Sequence, residues 1–416
     1  MKKISCYLLV LYGASIWAQG IVNSQVIAPG NYQARLVELD KKERPLFVDF
    51  VEKAGIYHQI GHYNKAIFNY KKALEMNPSD VIDIQLAKSY HAAGMSKNAI
   101  FIYENVFVKD SSNLLVANQL ARLYNSTRQK MHAFKMYNYL KQKDQTNPSY
   151  SYQMGRILKK QGNVFTSGEL FLDAFRRDSA HVKSIFELAK FYKRLKFKDS
   201  TQLFIDKGLA LNKESLNFLQ LKASFLYTSK KYKESIQYCN TLDSLQFSNA
   251  AVNSLKGACF EKMNQLDSAQ VYFGKAVKMD RESFEYAYKL ATIYYKRKKV
   301  KRAKSVLLGS LYGARLNLSA PQFLLGTILQ EEGKLKEAIV YFKKSYRSGK
   351  RFYKGLFQWA VTAESYYKDK NTALRLYEIY LERFESRDVV LTNYAKQRLK
   401  IIRKKMFLEG EITDEI

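Results

Sequence analysis

Three runs of lysine and arginine are the residues of this 416-residue chain best suited to chemistry, because clustered cations can hold phosphates or other anions. The formal net charge is +31, so many surfaces of the protein must be basic. Two interpretations stay open: a solvated edge, or a site for anionic lipid headgroups or acidic glycans. The runs are Lys193-Arg194-Leu195-Lys196 with Lys198, Lys230-Lys231 with Lys233, and Lys296-Arg297-Lys298-Lys299 with Lys301-Arg302.

Residues for catalysis or metal binding do not form a recognisable constellation. The sequence has no nucleophile elbow, no glycine-rich phosphate loop after a strand and no Cys-x-x-Cys pair. His58 and His62 are four residues apart, a spacing that can bind zinc on a helix, but Gly61 predicts a helix end there and no third ligand is evident. We therefore predict that the protein is not an enzyme and has no metal or cofactor.

The N-terminus has the pattern of an export signal. Lys2 and Lys3 precede an apolar run over residues 4–17, and a small-residue cleavage site at Ala18 follows. The apolar run is shorter than the roughly 20 residues that span a bilayer, so an uncleaved anchor is the alternative. The ending Trp17-Ala18-Gln19 resembles the signals of exported Bacteroidetes proteins. We predict a signal peptide over residues 1–18 and a periplasmic or outer-envelope location.

Two cysteines remain after cleavage, Cys239 and Cys259. An exported protein could oxidise them to a disulfide, and two buried free thiols are the alternative that we favour. The spacing does not decide between them, since a disulfide requires Cα atoms within about 7 Å.

A small residue recurs every 33 to 35 residues in each of two helical patterns, and this period organises the chain. Two antiparallel helices approach closely only where small side chains meet at the crossing. The first-helix positions are Ala54, Ala87, Ala121, Gly155, Ala189, Ala223, Gly257, Ala291, Gly326 and Ala363. The second-helix positions are Ala66, Ala99, Ala133, Ser167, Thr201, Ser235, Ala269, Ala303, Ala338 and Ala373.

Large apolar residues follow these positions by three or four residues, which places them on the same helix face. We interpret this aromatic stripe as core and not as a cofactor site. With 47% hydrophobic and 14% aromatic residues, the chain is far from the composition of a disordered protein. Examples are Tyr57, Tyr90, Tyr124 and Tyr192 in first helices, and Tyr70, Tyr103, Tyr137, Phe171, Phe273, Phe342 and Tyr377 in second helices.

The pattern resembles the tetratricopeptide repeat, a helix–turn–helix unit of 34 residues. The resemblance covers about Phe47 to Arg383, or ten units. It departs in the fifth unit, which has Thr201 and Gly208 where alanine is expected. The first unit carries Phe50, Ala54, Tyr57, Ala66, Tyr70, Ala73 and Pro78, and the ninth carries Gln322, Leu325, Gly326, Leu329, Ala338 and Phe342.

The resemblance implies an all-α solenoid, a right-handed superhelix of about ten units. We predict a linker or leader helix over residues 19–46, the repeat array over 47–383, a capping helix over 384–408 and an acidic tail over 409–416. The capping helix is expected because a stacked array ends in an exposed apolar face.

In this family the first helices line a concave groove, and ligands contact defined positions on them. Transferred to this sequence, those positions are basic in repeats three to five and apolar or aromatic towards both ends, as at Val48, Val81, Phe323 and Tyr367. The set that binds chaperone C-termini in some family members is not present. The predicted partner-binding residues are Arg122, Arg156, Lys159, Lys160, Lys183, Lys190, Lys193 and Arg194.

These observations predict a non-catalytic scaffold that binds an extended acidic peptide or a partner helix. One alternative is a polyanion-binding protein, for lipopolysaccharide, acidic glycan or nucleic acid, although export makes nucleic acid an unfavourable partner. A second alternative is the sensor component of an envelope signalling system. No transmembrane span is expected after signal cleavage.

Overall fold

A computed structural model describes residues 31–311, 318–349 and 352–408, and within them the chain forms 22 α-helices and no β-strand. The predicted signal peptide and the acidic tail lie outside the described residues. The chain divides into two compact units, one ending at Phe191 and the other beginning at Tyr192. We call their described parts the first and second units. The prediction of an all-α solenoid is confirmed.

The first unit begins with helix α1 and continues as helical hairpins, in which neighbouring helices pack in antiparallel pairs. Helix α10 contains the division between the units. The bounds are α1 Tyr32–Asp40, α2 Phe47–Gln59, α3 Tyr63–Met76, α4 Asp80–Ala92, α5 Ser96–Lys109, α6 Leu114–Ser126, α7 Lys130–Lys143, α8 Pro148–Lys160, α9 Val164–Arg177 and α10 Val182–Arg194.

The second unit continues the hairpins and ends in one longer helix that packs on the last hairpin. The bounds are α11 Lys198–Leu211, α12 Leu216–Thr228, α13 Tyr232–Ser244, α14 Ala250–Lys262, α15 Leu266–Met279, α16 Phe284–Lys296, α17 Val300–Leu311, α18 Ser319–Glu331, α19 Leu335–Ser348, α20 Tyr353–Tyr366, α21 Asn371–Phe384 and α22 Val389–Leu408.

The turn inside each of the first nine hairpins contains one residue in the left-handed backbone region. Glycine enters this region at little cost, whereas a side chain with a Cβ is strained there. Four hairpins have glycine at the position and four have a basic residue. In the latter four the backbone of the basic residue adopts a conformation that glycine would adopt with less strain. The positions are Gly61, Gly94, Arg128, Gly162, Lys196, Lys230, Asn264, Lys298 and Gly333.

Steric contact explains why three first helices have glycine at the small position. A Cβ on Gly155 would lie 2.7 Å from the ring of Phe171, too close for an unshifted structure. Gly257 faces Phe273 and Gly326 faces Phe342 with the same crowding. The seven hairpins with alanine never have phenylalanine at the facing position; they carry Tyr70, Tyr103, Tyr137, Ile205, Cys239, Leu307 and Tyr377 there.

Three lysines occupy a core-facing first-helix position at which other repeats have leucine. Lys256 is only 2% exposed, and its ammonium pairs with Asp243 of the preceding helix. Lys222 donates to Asp206 at 2.8 Å, and Lys53 pairs with Asp40. Each of these lysines, Lys222 and Lys256 buried and Lys53 half-buried, therefore links its hairpin to the helix before it. The leucines at the same position are Leu86, Leu120, Leu188, Leu290 and Leu325.

Asp173 of α9 connects the third and fourth hairpins. Its carboxylate accepts hydrogen bonds from Ser151 and from Arg177 Nε at 3.0 Å, and it lies 3.0 Å from Lys141 Nζ. Partial burial by itself raises the pKa of this carboxyl, but the bonds to Arg177, Ser151 and Lys141 outweigh it and lower the pKa to about 2.

Replacing Asp173 by asparagine should lower the free energy of unfolding by about 1–2 kcal/mol near neutral pH, after allowance for solvent screening of a partly exposed group. A carboxylate whose folded pKa is depressed stabilises the fold above the unfolded value, 3.8, and loses that contribution as pH falls towards 2. Urea titrations should therefore show the gap between wild type and variant narrowing from about pH 5 to pH 3. A gap independent of pH would contradict this assignment.

Candidate ligand-binding face

The eight predicted partner-binding residues lie on the first helices of three successive hairpins. Six belong to the first unit, namely Arg122 on α6, Arg156, Lys159 and Lys160 on α8, and Lys183 and Lys190 on α10. All six are exposed. Lys193 and Arg194 belong to the second unit and are considered with it.

Four cations of the first unit occupy the same position in consecutive repeats, 34 residues apart. We call Lys88, Arg122, Arg156 and Lys190 the cation column. Each follows the buried small residue of its helix by one position and is exposed. Lys88 was not among the predicted site residues, although its distance of 34 residues from Arg122 was the signal that could have identified it.

The cation column is not neutralised by the protein over most of its length. In the described part of the chain, no carboxylate oxygen lies within 4 Å of Lys88, Arg122 or Arg156. Among the described residues, the carboxylate closest to a member of the column is that of Glu187, which pairs with Lys159 and lies 4.0 Å from Lys190.

Further basic residues surround the middle of the cation column. Lys130, at the start of α7, donates to the carbonyl oxygen of Asn125 at 2.5 Å and to its side-chain oxygen at 2.8 Å. Burial, and then the charges of Lys160, Arg128 and Arg156, lower the pKa of Lys130. The Lys130 ammonium therefore lies in a positive potential set up by three neighbouring cations. This potential would attract an anion to this part of the face.

An apolar row accompanies the cation column, four residues earlier on each helix. It contains Ile84, Tyr152 and Phe186, all half-buried, with Asn118 in the third repeat. The Arg156 guanidinium lies 5.8 Å from the ring centroid of Tyr152. The Lys190 ammonium lies 5.2 Å from that of Phe186. The aromatic rings therefore support the cations and position them, while they leave little open apolar surface.

The second unit presents a different surface at the corresponding positions. Its residues there are Ser224, Ala258, Thr292, Thr327 and Glu364, none of them a cation.

Lys193 is half-buried, and its ammonium donates to Ser224 Oγ at 2.5 Å. Burial lowers its pKa. This makes Lys193 less available to a ligand than Arg194, which is exposed.

Small side chains of the second unit leave a pocket of about 350 Å³ between α12, α14 and α16. Its lining includes Ser224, Ala258 and Tyr286 together with Lys289 and Glu261. Lys289 already contacts Ser254 Oγ at 3.2 Å and Glu285 at 2.7 Å. The polar groups around the pocket therefore largely satisfy one another.

The three basic runs lie at or next to the turns inside hairpins. Several of their cations have local carboxylates: Lys296 pairs with Glu261 at 2.6 Å and Arg297 pairs with Asp267. Lys196, Lys230 and Lys298 are exposed, and among the described residues they have no ion pair. The turn edge is thus partly neutralised, in contrast to the cation column.

The histidine pair and the cysteines have structural surroundings. His58 Nδ1 lies 2.9 Å from Ser89 Oγ on the next first helix. Over the residues that the structure covers, no three His, Cys, Asp or Glu side chains converge as a metal site would require. Cys239 and Cys259 are both buried free thiols. Burial, and then the neighbouring Cys259, raises the pKa of the Cys239 thiol to about 12.

None of the helices in the described ranges combines the length and apolarity needed to cross a bilayer. This finding concerns residues 31–311, 318–349 and 352–408.

Comparisons with known proteins match two stretches of the chain to family models. Residues 50–80 match the tetratricopeptide repeat, and residues 262–345 match anaphase-promoting complex, cyclosome, subunit 3. No curated protein sequence matches the chain.

Many solved structures are similar to this chain. PilF of Pseudomonas aeruginosa is 19% identical, with 49% of this chain and 92% of that chain covered and a TM-score of 0.43. A tetratricopeptide repeat protein of Parabacteroides merdae is 15% identical, with 59% and 98% covered and a TM-score of 0.42. Yeast Tom70 is 13% identical, with 90% and 92% covered and a TM-score of 0.46.

The helical hairpins that recur every 33 to 35 residues, with their small crossing residues, and the tetratricopeptide match at residues 50–80 agree with one another. On these grounds the chain is similar to tetratricopeptide repeat proteins in its repeat pattern and in its all-α fold.

Proposed function

We propose that this protein is a non-catalytic interaction scaffold whose first unit binds an acidic peptide segment of a partner protein. The observation that carries the proposal is the cation column, four cations in one register, of which three have no ion pair among the described residues. Repeat proteins of this kind use extended surfaces to bind proteins. A surface of one sign raises the association rate of an oppositely charged partner.

The proposal includes a periplasmic or outer-envelope location. It is supported by Lys2 and Lys3 before the apolar run of residues 4–17, and by Ala18 as a cleavage site. Protein recovered from the envelope fraction should begin at Gln19, which mass spectrometry can establish.

Reversing the cation column should abolish capture of the partner. The variant Lys88→Glu/Arg122→Glu/Arg156→Glu/Lys190→Glu places four carboxylates where the ligand needs cations, and we expect a loss of at least about 100-fold in affinity, or roughly 3 kcal/mol. The four side chains are exposed, so circular dichroism should show unchanged helical content. The measurement is affinity capture from an envelope lysate, followed by titration with the captured partner.

A charge-matched control separates a specific face from the overall charge. Lys196→Glu/Lys198→Glu/Lys230→Glu/Lys298→Glu changes four exposed residues of the second unit, three in hairpin turns and Lys198 at the start of α11. Each substitution changes the charge by two, so both variants go from +31 to +23. Capture by the control but not by the column variant supports the proposal. Undiminished capture by the column variant would refute it.

A second candidate function is polyanion binding along the turn edge, and it has its own supporting observation. Lys196, Lys230 and Lys298 occupy left-handed turn positions that are glycine in four other repeats. A lysine at a backbone position that glycine would occupy with less strain suggests that the charge of the lysine has a role. In this case the turn variant would lose sedimentation with anionic vesicles or binding to dextran sulfate, and both activities would fall steeply with salt.

A further inference from the structure

The charged groups of the cation column are expected at regular distances, because its members recur at one position of successive first helices. Arg156 and Lys190 lie on adjacent first helices, since Lys159 of α8 contacts Glu187 of α10. Lys88 and Arg122 occupy the same position on the two preceding first helices, and the contact of His58 on α2 with Ser89 on α4 shows that first helices also adjoin at the start of the array. Packed helices have axes about 8–10 Å apart. Four cations at one register position therefore form a line of about 30 Å, with one charge every 10 Å or so.

Each conformation of a bound peptide presents carboxylates on one side at its own spacing. A β-strand returns to the same side after two residues, about 6.7 Å, or after four, about 13 Å, and neither matches the column. A polyproline II segment returns after three residues and about 9.3 Å, because it has three residues per turn and a rise of 3.1 Å. An α-helix returns after seven residues and about 10.5 Å.

The surroundings of the column favour the extended ligand over the helix. A helix that binds in a groove inserts an apolar face through anchors at positions i, i+3, i+4 and i+7. Here the apolar row is half-buried, and the charged groups of Arg156 and Lys190 already lie over Tyr152 and Phe186. Beside Arg156 and Lys190 little apolar surface is left for such anchors. The exposed apolar side chains of Val81 and Leu115 lie two helical turns away from Lys88 and Arg122. The exposed cations can each pair with a carboxylate.

We propose that the first-unit face recognises an acidic segment in the polyproline II conformation, with a carboxylate at every third residue for four successive turns. The inference rests on the proposed function, which it deepens by specifying the spacing and conformation of the ligand. Such a segment is already ordered before binding, so it loses little conformational entropy. Lys88, Arg122, Arg156 and Lys190 would each bind one carboxylate.

The test uses the full-length protein and fluorescent peptides that contain four glutamates each. One has glutamate at every third residue with proline between, a second at every second residue, a third at every fourth, and a helical peptide at every seventh. A fifth peptide has glutamine in place of each glutamate of the first. Anisotropy titrations at roughly 50 mM salt limit screening of the charges.

We expect the every-third peptide to bind about tenfold more tightly than any other acidic peptide, a difference of 1.4 kcal/mol. Its glutamine version should not bind. The Arg122→Gln variant should bind the complete peptide more weakly than the wild type does. It should bind a peptide that lacks the glutamate facing position 122 as tightly as the wild type does, since the two changes remove the same contact.

The other outcomes distinguish failure of the spacing from failure of the proposed function. Equal binding of all acidic peptides overturns the spacing inference and leaves an acidic-peptide site in place. Tightest binding of the helical peptide overturns the extended ligand in favour of a partner helix. If no acidic peptide binds but dextran sulfate does, both the inference and the proposed function are overturned.

Discussion

Replacing Asp243 by asparagine is expected to destabilise the second unit by about 3–5 kcal/mol, the typical cost of removing one partner from a buried ion pair. The charge left behind is that of Lys256, which is only 2% exposed and pairs with Asp243 in the native structure. The ring of Tyr272 also lies near the ammonium, with its centroid at 5.2 Å. A neutral ring cannot replace the lost carboxylate.

The reciprocal substitutions test this explanation. Lys256→Leu leaves Asp243, whose side chain is 35% exposed, although its Oδ1 is buried and has no hydrogen-bond partner among the described residues. Because the exposed part of this carboxylate can be hydrated, we expect a smaller cost, about 1–2 kcal/mol. The double variant Lys256→Leu/Asp243→Ala should recover most of the stability, because leucine occupies the position in other repeats and buried pairs can often be replaced by apolar residues. Urea denaturation and hydrogen exchange of α13 and α14 provide the measurements. Equal costs for the two single variants would contradict the asymmetry.

The substitution Gly208→Ala should also destabilise the second unit, by about 1–3 kcal/mol, although alanine is the better helix former. A Cβ at this position would lie 2.2 Å from the ring of Phe218, which is 1% exposed and cannot move aside without disturbing the core. Overpacking therefore exceeds the gain in helix propensity. The midpoint of urea denaturation gives the change directly.

Gly274 is the matched control for Gly208. It lies within helix α15. Apart from its own helix backbone and its two chain neighbours, no described atom lies within 4 Å of a Cβ placed on Gly274. Gly274→Ala should stabilise the protein by about 0.5–1 kcal/mol through helix propensity alone. If both glycine substitutions shifted stability in the same direction, crowding by Phe218 would not be the explanation.

The sequence was sufficient to predict the helical hairpins, because small and large residues recur at fixed positions that helix packing requires. Ala54, Ala66 and Tyr70 are buried as the pattern predicts. The departure at Gly208 looked like a weakness in the repeat. It is instead a packing solution, since Phe218 of the following helix fills the space that an alanine side chain would take.

Contacts between hairpins were much harder to predict than the hairpins themselves. Lysine is usually a surface residue, so the burial of Lys222 and Lys256 was not expected from the sequence. It depends on ion pairs with Asp206 and Asp243 of the preceding helices. Lys193 was predicted as a ligand-binding residue, yet its ammonium is held by Ser224. In each case the partner lies 13 to 31 residues away, beyond any local pattern.

The candidate site was only partly visible in the sequence for a related reason. Arg122, Arg156 and Lys190 were identified from the family's ligand-contacting positions, and Lys88 at the same register was overlooked. The contributions of Arg128 and Lys130 depend on a turn and a helix start that approach Arg156 in three dimensions. Register alone therefore identifies the column but not the potential around it.

The pairing of glycine with phenylalanine inside hairpins determines how this protein can be recombined. If a first helix with alanine at the crossing, such as α6, took the place of α14 opposite α15, the methyl group of Ala121 would lie where a Cβ at Gly257 is 2.9 Å from Phe273, so the ring or the helix would have to shift. Chimeras of this array should therefore have their crossover points between hairpins and not within them. The hairpin is the smallest segment that keeps its internal crossing contacts, and an exchange must also match contacts to the preceding hairpin such as Lys256 with Asp243.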